Sequence, residues 1–207
     1  MTERNAQRNA RGHHRREVEV RTPFPRFLIV CEGERTEPNY FRRFRVPREV
    51  AEVKVEGTGY NTLSLVEEAV RLRDRYEMSD DDEVWCVFDK DSFNAAYFND
   101  AIIRAQAYGF HSAYSNEAFE LWYLLHFHYY NTGIDRGQYI EKLNRLLRPR
   151  PYLKNDPGMY DLLQEKQGAA IRNATRLLAD NQSSSPANDN PSTTVHLLVI
   201  ELNRYLR

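Results

Sequence analysis

The sequence predicts an α/β fold: a four-stranded parallel sheet flanked by helices, with a helical C-terminal extension. Three observations carry that expectation. Two continuous apolar runs, residues 27–31 and 84–88, end abruptly on acidic residues, as strands covered on both faces do. Strand-like and helix-like stretches alternate four times between Arg26 and Phe127, which calls for right-handed crossovers in a parallel sheet. Beyond His128 only helical patterns recur.

Residues 1–25 read as a basic N-terminal arm. Arg4, Arg8, Arg11, Arg15 and Arg16 stand there with His13 and His14 and almost no apolar residues, so a flexible arm able to lie along phosphates is expected. The core spans 26–130. Its first strand, 27–31, runs into the loop Glu32-Gly33-Glu34-Arg35-Thr36-Glu37 and a short helix with Pro38 near its start and Tyr40, Phe41 and Phe44 as its apolar stripe. Residues 50–55 alternate apolar and charged, the pattern of a strand nearer the sheet edge. After Gly57 and Gly59, apolar residues from Leu63 to Leu72 recur at helical spacing, with Asn61 or Thr62 as the cap.

The acidic turn Asp80-Asp81-Asp82 leads into the strand at 84–88, which ends on Asp89-Lys90-Asp91. A helix over 94–107 is stopped by Gly109, a fourth strand covers 110–114, and Asn116 is placed to cap a helix over 117–127. Residues 131–207 form the extension, expected to pack on the core. Helices are predicted near 139–147, 159–164 and 168–178, followed by a polar loop over 180–190. A last helix starts from Pro191, with Ser192 or Asn190 as its cap.

The chain has 207 residues, 41% hydrophobic and 29% charged, which excludes a disordered polypeptide and suits a soluble enzyme or binding module. Its formal net charge of −1 argues neither for nor against nucleic acid as a partner. Cys31 and Cys86 lie in apolar runs without partners at metal-ligand spacing, so reduced buried thiols are expected. With no apolar stretch of membrane-spanning length and no secretory signal, a cytoplasmic protein is expected, without a membrane partner.

In an open parallel sheet, ligands bind beyond the carboxyl ends of the strands. Glu32 closes the first strand and Asp89 the third, with Asp91 two residues on, pointing the same way if the segment stays extended. Such carboxylates repel one another unless a cation offsets them, and Mg2+, with Mn2+ as substitute, suits an oxygen-only site that also takes phosphate oxygens. Acidic residues after strands also simply cap helices or solvate loops. Gly33 would let a phosphate approach the backbone, ahead of a helix start whose amides favour anions. Arg35 could pair with a phosphate oxygen, or with Glu34 or Glu37 at the surface.

Glu120 stands amid Phe119, Leu121 and Trp122, where a charge points to an active-site role, and Glu117 shares its helix face. Lys154 could stabilise charge at a reacting phosphate, although a solvated loop lysine is the plainer reading, as solvent exposure is for Lys90. His111, His126 and His128 lack zinc-site spacing. Trp122, Tyr123, Phe127, Tyr129 and Tyr130 fit a core or interface role better than base stacking.

Four motifs in order, 31–41 (CEGERTEPNYF), 88–93 (FDKDSF), 115–122 (SNEAFELW) and 190–193 (NPST), closely resemble the RloB-like family, from about Arg26 to the end. That family is similar to the Toprim superfamily, found in primases, topoisomerases and OLD-type nucleases. The resemblance implies a Toprim-like core in which Glu32 is the general acid or base and Asp89 and Asp91 bind magnesium. It also implies an antiphage defence effector, a metal-dependent nuclease acting on DNA or RNA with a partner ATPase encoded nearby. The alternative is a non-catalytic subunit that binds nucleic acid or that partner. Association into a homodimer is left open.

Overall fold

The computed structural model describes residues 24–91, 94–181 and 185–206. The basic arm, apart from Phe24 and Pro25, lies outside them. Strands β1 (Arg26–Cys31), β2 (Glu52–Gly57), β3 (Glu83–Asp89) and β4 (His111–Asn116) alternate with helices α1 (Thr36–Phe41), α2 (Thr62–Arg75) and α3 (Ala95–Ala107). These four strands are parallel, in the order β2-β1-β3-β4. The chain steps outward from β1 to β2, then crosses back over β1 to β3. The order therefore reverses between β1 and β3, opening a crevice at their carboxyl ends where ligands of such sheets bind.

The sheet has five strands rather than the expected four. β5 (Ser192–Thr193) pairs antiparallel with β4. Two residues carry no periodicity, and Ser192 beside Pro191 reads locally as a helix cap. The pairing is fixed instead by hydroxyls: Ser115 Oγ and Thr193 Oγ1 are 3.1 Å apart, and Thr194 Oγ1 accepts from the Tyr114 amide at 2.9 Å. The last helix, α8 (Val195–Asn203), consequently starts four residues after Pro191.

Strand alternation sorts the core into two faces. Leu28, Val30, Val84, Cys86 and Phe88 meet α2 and α3 through Leu65, Val66, Ala69, Phe98 and Ala101. Asn61 caps α2, accepting from the Ser64 amide at 3.1 Å, and Asn94 caps α3. Phe27, Ile29, Cys31, Trp85 and Val87 face an aromatic layer from α1 and α4 (Glu120–Leu125). The extension belongs to this second core. Tyr139 and Leu143 of α5 (Arg136–Leu146), Met159 and Leu163 of α6 (Met159–Leu163), Ala170, Ala174 and Leu177 of α7 (Gln167–Asp180), and Leu198 and Leu202 of α8 all pack into it. Both cysteines are free and buried. Among the described residues no helix is long and apolar enough to cross a membrane.

α4 is shorter than expected. Asn116 does not cap it; its side-chain amide donates to the Pro186 and Ala187 carbonyls, and the helix begins only at Glu120. Glu117 therefore lies before the helix and does not share a helical face with Glu120.

Candidate active site

β1 and β3 deliver Glu32 and Asp89 side by side at the crevice. The Glu32 amide continues the β1–β3 ladder by donating to the Val87 carbonyl at 2.9 Å. Its carboxylate turns to the neighbouring strand end, where Oε2 accepts the Asp89 amide at 3.2 Å and Oε1 the Thr62 hydroxyl at 3.2 Å. The Glu32 carboxylate thus meets the backbone of Asp89, and both residues line one cleft.

That cleft has a volume of about 650 Å³, and its lining includes Glu32, Gly33, Arg35, Asp89, Asp91, Glu120 and Lys154, all candidate site residues in the sequence. Asp91 reaches it by a route other than the expected one. β3 ends at Asp89, and Asp91 adopts a left-handed conformation (φ 43°), which aspartate tolerates better than most residues. A turn, not strand alternation, brings the two aspartates together, held by the Lys90 amide donating to the Ser115 carbonyl and the Asp91 amide to the Glu117 carbonyl.

Arg136, at the start of α5, was not singled out from sequence and is the cation that joins the pair. Its guanidinium lies 3.1 Å from Asp89 Oδ2 and 3.2 Å from Asp91 Oδ2. Asp135 caps this helix in a reciprocal box with Gln138, which fixes where Arg136 emerges. Tyr152 was also missed; its hydroxyl donates to Glu120 Oε1 at 3.0 Å.

Glu37 departs furthest from expectation. Rather than offering a surface ion pair to Arg35, it is 6% exposed in the cleft wall, and its Oε2 has no hydrogen-bond partner. A Cβ on Gly33 would stand 2.1 Å from that oxygen, so the glycine accommodates a carboxylate where a phosphate was expected. α1 has only six residues, too few to act as the anion-binding helix terminus the sequence suggested. Lys154 sits on an exposed loop whose next residue anchors it: Asn155 pairs through its side chain with Thr36 and accepts from Asn39 through its carbonyl.

Six carboxylates, those of Glu32, Glu34, Glu37, Asp89, Asp91 and Glu120, thus line one cleft, with Asp89 8% and Glu120 3% exposed. Burial lifts the Glu32 carboxyl to about 7, against two hydrogen bonds that favour its charge. Burial, then the charges of Glu37 and Glu120, push Asp89 well above the usual carboxylate range despite Arg136. Glu37 is raised by burial and by Glu120. Burial opposes the charge of Arg136, but Asp89, Asp91, Glu120 and Glu37 together hold it above its ordinary value.

A hard divalent cation fits this donor set. Asp89 Oδ1 and Glu37 Oε2 are buried lone-pair donors without partners, the carboxylates outnumber the nearby cations, and all the donors are oxygen. Among the described residues no three such groups stand as a ready ligand shell. Magnesium commonly uses only one or two carboxylates and completes its octahedron with water and phosphate oxygens.

The remaining candidates fall outside the cleft lining. Lys90 is half-buried, with its ammonium 3.4 Å from the Asp91 carbonyl. His126 is buried and bonded to the Trp122 carbonyl, and burial lowers it to about 4. Trp122 and Tyr123 are wholly buried core residues.

The sequence model of the RloB-like protein family matches residues 27–202, most of the chain. The chain belongs to the RloB-like family. Neither a curated protein nor a solved structure matches it. All four RloB-like motifs border this crevice or its supports. The first supplies Glu32, Gly33, Arg35 and Glu37, the second Asp89 and Asp91, and the third Glu120, while the fourth supplies β5, which pairs with the end of β4.

Proposed function

We propose that this RloB-like protein is a magnesium-dependent nuclease with a Toprim-like core, hydrolysing phosphodiester bonds of DNA or RNA in the crevice between β1 and β3. The observation that carries the reading is the meeting of Glu32 and Asp89 at the point where strand order reverses, with Asp89 Oδ1 buried and unpartnered. Buried polar atoms mostly find hydrogen-bond partners, and an orphaned carboxylate oxygen in a cleft wall offers its lone pairs to a ligand.

Asp89, Asp91 and Glu32 are the residues that would hold magnesium, with manganese as substitute. When bound, the ion supplies Lewis-acid polarisation of a phosphate oxygen and lowers the pKa of a water. The remaining work falls to the chain itself. Glu32 is held beside Asp89 by its bonds to the Asp89 amide and the Thr62 hydroxyl, a position from which an uncoordinated carboxylate can take or return a proton. Lys154 and Arg35 supply positive charge at the lip for phosphate oxygens. Arg136 holds both aspartates in register and offsets their repulsion until a cation arrives. Tyr152 fixes the rotamer of Glu120. The family resemblance adds a defence role and control by a partner ATPase to this proposal.

The test is incubation of pooled single- and double-stranded DNA and RNA with the purified chain in magnesium or manganese. Cleavage is expected to disappear in Asp89→Asn and in Glu32→Gln. A nicking or cutting activity equal to wild type in both variants overturns the reading. Nucleic acid bound but never cut, with any metal, favours a non-catalytic subunit instead.

A further inference from the structure

Trp122 and Tyr123, whose sequence context favours a core role over base stacking, are wholly buried and do not line the cleft. A different aromatic is there. Tyr60 lines the cleft and is 46% exposed, whereas the other exposed aromatics, Phe24, Tyr97 and Tyr108, lie elsewhere among the described residues. Its place at the mouth of a charged cleft, not its exposure, sets Tyr60 apart from these.

The loop that presents Tyr60 is tied to the end of β1. The Thr58 amide and hydroxyl both donate to the Cys31 carbonyl at 3.0 Å, and the Gly59 amide donates to the Glu32 carbonyl at 2.9 Å. Gly59 has φ +68°, and the Tyr60 amide is bonded to Thr58 Oγ1 at 3.2 Å. Asn61 then caps α2, and Thr62 donates to Glu32 itself. Tyr60 is therefore placed by the same backbone that places Glu32.

We propose that Tyr60 is a stacking platform for one unpaired nucleobase, and that the cleft selects single-stranded or extruded nucleotides over paired duplex. The inference rests on the nuclease reading and deepens it. A cleft of about 650 Å³ has the size that takes one small ligand, a nucleotide rather than a duplex. The acidic floor is buried, so a phosphate must descend to reach it. In a duplex both faces of each base are already covered, and a ring such as that of Tyr60 gains a partner only when the base is free. Stacking is blind to base identity, so the platform selects strand state, not sequence.

The test measures binding of a fluorescent single-stranded oligonucleotide, its duplex, and a fully abasic strand of equal length, with calcium in place of magnesium. Cleavage of the same strands in magnesium is followed in parallel. Tyr60→Ala is expected to weaken single-strand binding roughly tenfold or more, while Tyr60→Phe and Tyr60→Trp stay within about twofold of wild type. Wild type should lose a similar factor on the abasic strand, and Tyr60→Ala should lose nothing further. Melting temperature should not move, since Tyr60 is exposed. Single-strand binding and cutting unchanged in Tyr60→Ala overturns the inference, as does an abasic penalty that persists in that variant or a wild type preferring duplex. Wild type that binds no strand at all removes the nuclease reading along with it, an outcome visible without any variant.

Discussion

The two ends of β3 each carry an aspartate beside an arginine, and they behave in opposite ways. At the entrance, both oxygens of Asp82 are partnered: the Arg26 amide donates to Oδ1, and Arg26 Nε, an Arg26 terminal nitrogen, and the Ser79 amide and hydroxyl donate to Oδ2. Burial opposes its charge, but these donors outweigh burial and hold the carboxyl below its usual range. At the exit, Asp89 shares Arg136 with Asp91, keeps one oxygen unpartnered, and is raised by burial and by neighbouring carboxylates. A saturated carboxylate stabilises a fold, whereas an unsaturated one among like charges stores repulsion that a ligand can relieve.

That contrast can be broken by exchanging its ends. Asp89→Asn is expected to lower nucleic-acid cleavage roughly 1,000-fold and to abolish any rise in melting temperature on adding magnesium. Asp82→Asn should keep cleavage within about threefold in the same assay. Arg136→Gln leaves two aspartates facing each other without their counter-charge, and should cost about 3 kcal/mol in metal-free urea unfolding. The same variant should bind manganese more tightly in calorimetry, because the cation that competes for the aspartates has gone.

The pH dependence sharpens the difference. Glu32 is raised in the fold, so between pH 4.5 and about 7 the unfolded chain releases its proton while the folded chain keeps it. Stability of the metal-free protein should therefore fall by about 3 kcal/mol from this group as pH rises through that window. Glu32→Gln should remove that slope from melting curves. Asp82 has the reverse sign: it favours folding above its unfolded value of 3.8 and loses that contribution as acid protonates it. Asp82→Asn should cost about 2 kcal/mol at neutral pH by chemical denaturation. The smallest expected effect is that of Tyr152→Phe, about 1 kcal/mol of stability from the lost bond to Glu120.

The strands and their acidic ends were legible because each is local: an apolar run stops, and a carboxylate follows. Glu32 and Asp89 needed nothing else. Glu37 was not legible, since in the charged run from Glu32 to Glu37 nothing local distinguishes a buried carboxylate from a solvated one; the space that takes it is set by Gly33 and by α4. Arg136 follows Asp135 in what reads as an ordinary helix start, and its partners lie 45 and 47 residues earlier in the chain. β5 escaped for a related reason, because two residues carry no period and its partners sit near residue 115.

β5 has a bearing on how the protein is made. Ser192 and Thr193 close the far edge of the sheet beside the strand that leads to Glu120, and α8, after them, completes the aromatic core. A ribosome delivers Glu32 and Asp89 first, Arg136 and Tyr152 much later, and β5 and α8 later still. A growing chain therefore carries its acidic cleft residues well before the segments that complete the core behind them.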